Sequence, residues 1–193
     1  MRPAVFLDRD GTINKENGYI SDASQFLLLP GSAEAISLLN KNNYLVVVTT
    51  NQSGVARGYF PIEVVQEIHG LMEVQLTKNN ASIDKIYFCP HHSEGVVPEY
   101  SIECVCRKPG TGFINKARSD LDIDISRSYV IGDRWLDIEF ARNANLPGIL
   151  VLTGYGREDL EEIIPQKKIK PAYVARDLLH AVKWILKQDA VIE

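Results

Sequence analysis

Short apolar runs that end in polar residues or glycine alternate along the chain with stretches whose apolar residues recur every three or four positions. The first kind reads as buried strands and the second as helices packed by one face. Strands are predicted from Val5 to Leu7, Tyr44 to Val48, Ile83 to Phe88, Ser128 to Ile131 and Ile149 to Leu152, with a short one near Tyr173 and Val174. Helices are predicted from Ser32, a candidate N-cap, through Ala35, Ile36, Leu38 and Leu39, and from Pro61 to about Asn79. Others run from Gly112 to Leu121, from Ile138 onward, around Glu158 to Ile164 and from about Asp177 to Lys187. Strand and helix alternate throughout, which predicts an α/β fold: a parallel sheet with helices on both faces. No repeat, low-complexity tract or linker divides residues 1–193, so one domain is expected.

In such a sheet the site lies outside the carboxyl ends of the strands, and several of those ends carry chemistry. The first strand runs into Asp8-Arg9-Asp10-Gly11-Thr12. Residues two apart on an extended backbone face the same way, so both carboxylates share a small volume, and a hard divalent cation, Mg²⁺, would relieve their repulsion. Taken alone, the pair reads more readily as solvated carboxylates in a turn. The second strand ends in Thr50-Asn51-Gln52-Ser53, the fourth in Gly132-Asp133-Arg134-Trp135-Leu136-Asp137, and an insertion after the third brings Arg107 and Lys108. Asp133 could complete a Mg²⁺ site with Asp8 and Asp10, and Arg107 and Lys108 match phosphate oxygens. A metal, a carboxylate nucleophile and cationic clamps suit phosphoryl transfer.

Composition narrows the partners. A hydrophobic content of 45% and charged content of 24% read as globular, and the net charge of −4 gives no support to nucleic-acid binding. No apolar run approaches a membrane span, and Met1-Arg2-Pro3 enters the first strand without room for a signal peptide, so a cytoplasmic protein is expected. The three cysteines all fall between Cys89 and Cys106, where Cys89-x-His91 and Cys104-x-Cys106 supply a Cys₃His set for structural zinc, with His92 competing for the histidine position.

Asp8-Arg9-Asp10-Gly11-Thr12, Thr50, Lys108-Pro109 and Gly132-Asp133-Arg134-Trp135-Leu136-Asp137 resemble, in order, the four motifs of the haloacid dehalogenase (HAD) superfamily of phosphatases. The resemblance implies a Rossmann-like sheet. It implies that Asp8 forms an aspartyl-phosphate, that Asp10 is the acid and base, and that Thr50 and Lys108 hold the phosphoryl oxygens. Mg²⁺ would bind Asp8, the backbone carbonyl of Asp10, and Asp133. Asp137 either supports the site or simply favours a helix N-terminus. Cys89-Pro90-His91-His92, Cys104-Val105-Cys106-Arg107-Lys108-Pro109, Thr50 to Gly58 and Asn14-x-x-x-Gly18-Tyr19 narrow the resemblance. They are similar to the family of D-glycero-D-manno-heptose 1,7-bisphosphate 7-phosphatases, which supply heptose for lipopolysaccharide or related glycans.

That likeness implies hydrolysis of the C7 phosphate of a small sugar bisphosphate; separately, a monomer is expected. It implies substrate contacts at Glu16, Asn17, Gly18, Tyr19, Thr50, Asn51, Gln52, Ser53, Arg107, Lys108 and Arg134. It also selects His91 over His92 as the zinc ligand, in a structural loop at about 89–108. The family often carries Lys at position 134, so Arg134 changes the geometry of that charge, and Trp135 is bulky beside it. Histidinol-phosphate phosphatases are the alternative, although their loop between His and Cys is shorter than 91–104 here. A non-catalytic zinc-bearing binding module is the alternative outside enzymes, and Asp8 beside Asp10 argues against it.

Overall fold

The computed structural model describes residues 1–189. Strands β1 (Arg2–Leu7), β2 (Leu45–Asn51), β3 (Lys85–Cys89), β4 (Ile123–Gly132), β5 (Gly148–Val151) and β6 (Tyr173–Ala175) form a six-stranded sheet in the order β3-β2-β1-β4-β5-β6. Every neighbouring pair is parallel. The chain builds one half outward from β1 through β2 to β3, then returns to the far side of β1 for β4 and again builds outward. The order therefore reverses between β1 and β4, where a crevice opens at the strands' carboxyl ends. Leu7 is in register with Ile131, and the Asp8 N–H donates to the Ile131 carbonyl at 2.9 Å, so the chemistry after β1 and after β4 emerges side by side.

Alternation along β1 explains the two-sided core. Val5 and Leu7 point to one face, packed by α1 (Ser32–Lys41), α2 (Ile62–Thr77) and α6 (Leu178–Asp189). Ala4 and Phe6 point to the other, packed by α3 (Gly112–Asp120) and α4 (Trp135–Asn143). Both faces are apolar because both are covered, as parallel sheets require.

Some boundaries differ from those predicted. Ser32 is not the N-cap of α1. Gly31 takes that place with φ +81°, and the Ser32 hydroxyl is buried inside the first turn with no partner among the described residues. β2 extends through Thr49, Thr50 and Asn51, because these pair with Tyr87, Phe88 and Cys89 of β3. β4 starts at Ile123, five residues earlier than its apolar run. The intervening polar stretch is locally tied, with Asp124 accepting from Ser126 and Arg127. The predicted helix around Glu158 to Ile164 is a short α5 (Gly156–Glu158) that widens into a π turn (Asp159–Ile163) and ends in a 3₁₀ turn (Ile164–Gln166). Pro165, which has no N–H to donate, prevents a regular ladder there.

Candidate active site

At the β1/β4 crevice a cavity of about 600 Å³ opens, with Asp8, Asp10, Thr50, Lys108 and Asp133 among its walls. Asp8 is nearly buried, and Lys108 Nζ donates to its Oδ1 at 2.7 Å and to Asp137 Oδ1 at 2.5 Å. Asp137 Oδ2 also accepts the Arg134 N–H at 3.2 Å, so this carboxylate caps α4 and holds Lys108 together. The Lys108 backbone is fixed separately: its N–H donates to Asn51 Oδ1 at 3.1 Å and its carbonyl accepts from Asn51 Nδ2 at 3.2 Å.

Asp133 is buried; its Oδ2 accepts the Tyr155 N–H at 2.8 Å, while its Oδ1 has no partner among the described residues. Backbone from two loops crowds it. A Cβ at Gly11 (φ +78°) or Gly154 (φ +53°) would run into its carboxylate, so both positions require glycine. Carboxylate oxygens of Asp8, Asp133 and Asp137 lie within 4.8 Å of one another. Three acids so close and so buried repel. Burial, with Asp137 and Asp10 adding to it against the pull of Lys108, lifts Asp8 to about 7. Burial together with Asp8 and Asp137 lifts Asp133 well above the usual carboxylate range. An orphaned buried oxygen beside two more hard oxygen donors fits a divalent cation such as Mg²⁺.

Asp10 lies in the opposite setting. Burial would raise it, but the Arg9 guanidinium and hydrogen bonds from Asn14 and Gln52 outweigh burial and hold it below the usual range. Arg9 Nη2 reaches both carboxylate oxygens at 2.9 and 2.8 Å, Asn14 Nδ2 reaches Oδ1 at 2.9 Å, and Gln52 Nε2 reaches Oδ2 at 2.8 Å. Gln52 Nε2 also donates to Thr50 Oγ1 at 2.9 Å. Asn51 and Gln52 thus use their amides to build the site, and Asp10's carboxylate stands apart from the three-acid cluster.

Glu16, Gly18, Tyr19, Ser53, Arg107 and Arg134 line the same cavity, whereas Asn17 does not; its amide donates to the Gln25 carbonyl at 3.3 Å. The sequence reading missed Tyr155 and Asp159, which also line it. Tyr155 places its ring 4.3 Å from the Arg134 guanidinium carbon, and Asp159 lies 3.6 Å from Arg134 Nε while accepting the Trp135 N–H at 2.5 Å. Tyr155 follows the strand end at Thr153-Gly154, an uncharged turn that nothing local marks as part of a site.

Beyond β3, Cys89, His91, Cys104 and Cys106 converge, with Sγ–Sγ distances of 3.3 and 3.0 Å and His91 Nδ1 at 3.6 Å from Cys89 and Cys106. A tetrahedral zinc–thiolate set has edges of about 3.8 Å, so a slight expansion would admit Zn²⁺. His92 turns away, with its Nδ1 accepting the Glu94 N–H at 3.1 Å.

A family model described as HAD-hydrolase-like matches residues 105–181. The chain is 45% identical to the D-glycero-D-manno-heptose-1,7-bisphosphate 7-phosphatase of Thermosynechococcus vestitus over 95% of both chains. It is 38% identical to the D-glycero-beta-D-manno-heptose-1,7-bisphosphate 7-phosphatase of Escherichia coli K12, over 97% of this chain and 95% of that one. Its fold matches the crystal structure of D,D-heptose 1,7-bisphosphate phosphatase from B. bronchiseptica, complexed with magnesium and phosphate. That match has a TM-score of 0.83 and 32% identity, and covers 96% of this chain and 99% of the other.

Proposed function

The chain belongs to the heptose-1,7-bisphosphate 7-phosphatase family of HAD-like hydrolases, and we propose on that premise that it hydrolyses the C7 phosphate of D-glycero-D-manno-heptose 1,7-bisphosphate through an aspartyl-phosphate on Asp8. The observation that carries the chemistry is geometric: Asp8 meets Lys108 Nζ at 2.7 Å inside the buried acidic cluster, while the Asp10 carboxylate, two residues on along the same cavity wall, is held by Arg9, Asn14 and Gln52. Two carboxylates placed side by side but held by different partners can divide the work of nucleophile and proton carrier.

In the first step Asp8 attacks phosphorus; the bond from phosphorus to the C7 oxygen breaks, and Asp10 supplies the proton that the departing alkoxide needs. In the second, Asp10 takes a proton from water, the water oxygen bonds to phosphorus, and the acyl-phosphate bond breaks to return the Asp8 carboxylate. Lys108, anchored by Asp137 and Asn51, and Thr50, tied to Gln52, face the phosphoryl oxygens. HAD phosphatases use Mg²⁺; held here by Asp8, the Asp10 backbone carbonyl and Asp133, it would neutralise charge developing on the phosphoryl group. The buried, unpartnered Asp133 Oδ1 supports that assignment. Zn²⁺ on Cys89, His91, Cys104 and Cys106 would be structural, because four protein ligands leave no position for water.

For the second phosphate of the substrate, Arg107 and Arg134 are the remaining cationic arms on the cavity wall. No helix among the described residues is long and apolar enough to cross a membrane, and a small soluble phosphosugar suits the open cavity. The test is phosphate release with Mg²⁺ from both anomers of the heptose bisphosphate and from histidinol phosphate. A preference of about a hundredfold in kcat/KM for the bisphosphate, nearly 3 kcal/mol of differential transition-state binding, is expected. Preference for histidinol phosphate would overturn the substrate and leave the reaction class standing.

A further inference from the structure

Arg9 is the largest fully buried side chain among the described residues, 1% exposed, and the two steps above do not use it. A guanidinium in such a place must have partners. Two are on Asp10: Nε and Nη2 both reach its carboxylate, and Nη2 spans both oxygens. The third is sixty positions away: Nη1 lies 3.2 Å from His69 Nε2. A guanidinium has donors only, so His69 Nε2 accepts, and the ring is the neutral tautomer with its hydrogen on Nδ1. His69 sits on α2, 6% exposed, with its ring edge-on to Phe88 of β3 at 5.4 Å between centroids. A brace of packed groups therefore runs from α2 through His69 and Arg9 to Asp10.

Asn14 and Gln52 each give Asp10 one hydrogen bond, which fixes one oxygen apiece. The Arg9 fork engages both oxygens and so sets the plane of the carboxylate. An acid/base must lie within hydrogen-bond reach of the oxygen it serves, and Asp10 has little freedom to find it, with 17% of its side chain exposed.

We propose that Arg9 and His69 are positioning residues for proton transfer, His69 acting through Arg9 to fix the Asp10 carboxylate against the leaving oxygen. This rests on the role given to Asp10 above. The step in question is the one in which the C7 alkoxide leaves and takes a proton. A nitrophenolate leaves as a stable anion and needs none. The experiment compares the full chain with His69→Leu, His69→Gln and Asp10→Asn, with Mg²⁺, on the heptose bisphosphate and on p-nitrophenyl phosphate.

His69→Leu is expected to lower kcat on the bisphosphate about ten- to a hundredfold, since a well-placed acid contributes ~10²–10⁴. KM and the single-turnover burst of nitrophenolate should stay within about twofold. His69→Gln, whose amide oxygen can accept from Arg9 at the same reach, is expected to recover most of the loss. The brace is overturned if His69→Leu turns over the bisphosphate normally, if the single-turnover burst of nitrophenolate falls as far as bisphosphate turnover, or if His69→Gln does no better than His69→Leu. Asp10→Asn with undiminished bisphosphate turnover would instead overturn the role of Asp10 itself. Should His69→Leu not fold, His69→Asn, polar but too short to reach Arg9, is held to the same outcomes.

Discussion

Two clusters of metal-type ligands in this chain are held in opposite ways. Asp8, Asp133 and Asp137 stand at the ends of β1 and β4 and in the first turn of α4, with Phe6, Leu7, Ile131 and Phe140 fully buried directly beneath them. Their positions follow from the core, and their mutual repulsion is a cost that the fold carries. Cys89 ends β3, but His91, Cys104 and Cys106 belong to a segment with no strand or helix between Cys89 and Gly112. That segment exposes Val96 and Val105 at 74% and 79% and is tied down by a few backbone bonds, such as those from Val96 and Val97 to the Ala56 carbonyl. In the first cluster the fold arranges ligands for a cation. In the second a cation would arrange the fold.

Asp8→Asn tests the difference most strongly. Removing the carboxylate proposed to attack phosphorus is expected to lower kcat by about 10⁴-fold or more. Because it also removes one charge from a buried trio, the melting temperature without added Mg²⁺ should hold or rise. A clear fall in melting temperature would mean that the acidic cluster contributes to folding as the cysteine cluster does.

Cys104→Ser, or a zinc chelator, should act in the other direction on stability. Loss of a structural zinc site is expected to cost about 3 kcal/mol or more, or roughly 6–12 °C in a chain of this length. Activity should fall with it, because Arg107, whose Nη1 donates to the His91 carbonyl at 3.2 Å, and Lys108 leave the same loop. Calorimetry with a zinc assay checks both; unchanged melting and activity would refute the structural role.

A smaller effect lies in pH and Mg²⁺ together. Asp8 at about 7 and the raised Asp133 keep protons in the folded state that the unfolded chain has released above pH 4 or so. The folded state binds more protons, so their contribution to stability falls as pH rises towards 7, by about 1.4 kcal/mol per unit for each proton retained. His69, which burial and then Arg9 lower to about 3, has the opposite sign: its contribution is lost as pH falls below 6.5. Taking the difference with and without Mg²⁺ at each pH cancels His69. The Mg²⁺-induced rise in melting temperature should therefore be larger at pH 8 than at pH 5; a pH-independent rise would mean that the cation binds elsewhere.

The sequence made the strand ends legible because each is a local event, an apolar run stopping at polar residues. The alternation of apolar and polar residues does not by itself say which ends are neighbours; the meeting of Asp133 with Asp8 is expected from their chemistry and from the family resemblance. That β4 returns beside β1, so that Asp133 meets Asp8, is a long-range fact of strand order. Asp137 stayed ambiguous for the same reason: its role depends on Lys108, which approaches from another loop. Arg9 lies between two aspartates in sequence and His69 within a predicted helix, and nothing local says that either is buried. Tyr155 and Asp159 were hidden by an uncharged turn and an irregular helix.

Tyr155 permits the finest test of a site arranged by the core. Its N–H fixes Asp133 and its ring faces Arg134, so one residue joins the acidic cluster to a cationic arm of the cavity. Tyr155→Leu keeps the backbone bond and removes the ring. A partly exposed cation–π contact is worth about 0.5–1 kcal/mol, which corresponds to roughly a two- to fivefold rise in KM for the bisphosphate. Since the reacting phosphoryl group is held by Thr50 and Lys108 in the mechanism above, kcat should not change. Steady-state kinetics on the bisphosphate and on a heptose 7-monophosphate separate the cases. If only the bisphosphate suffers, Arg134 reads the second phosphate and Tyr155 aims it. If kcat falls on both, the ring is instead supporting Asp133, and the acidic cluster depends on its loop more than its buried strands imply.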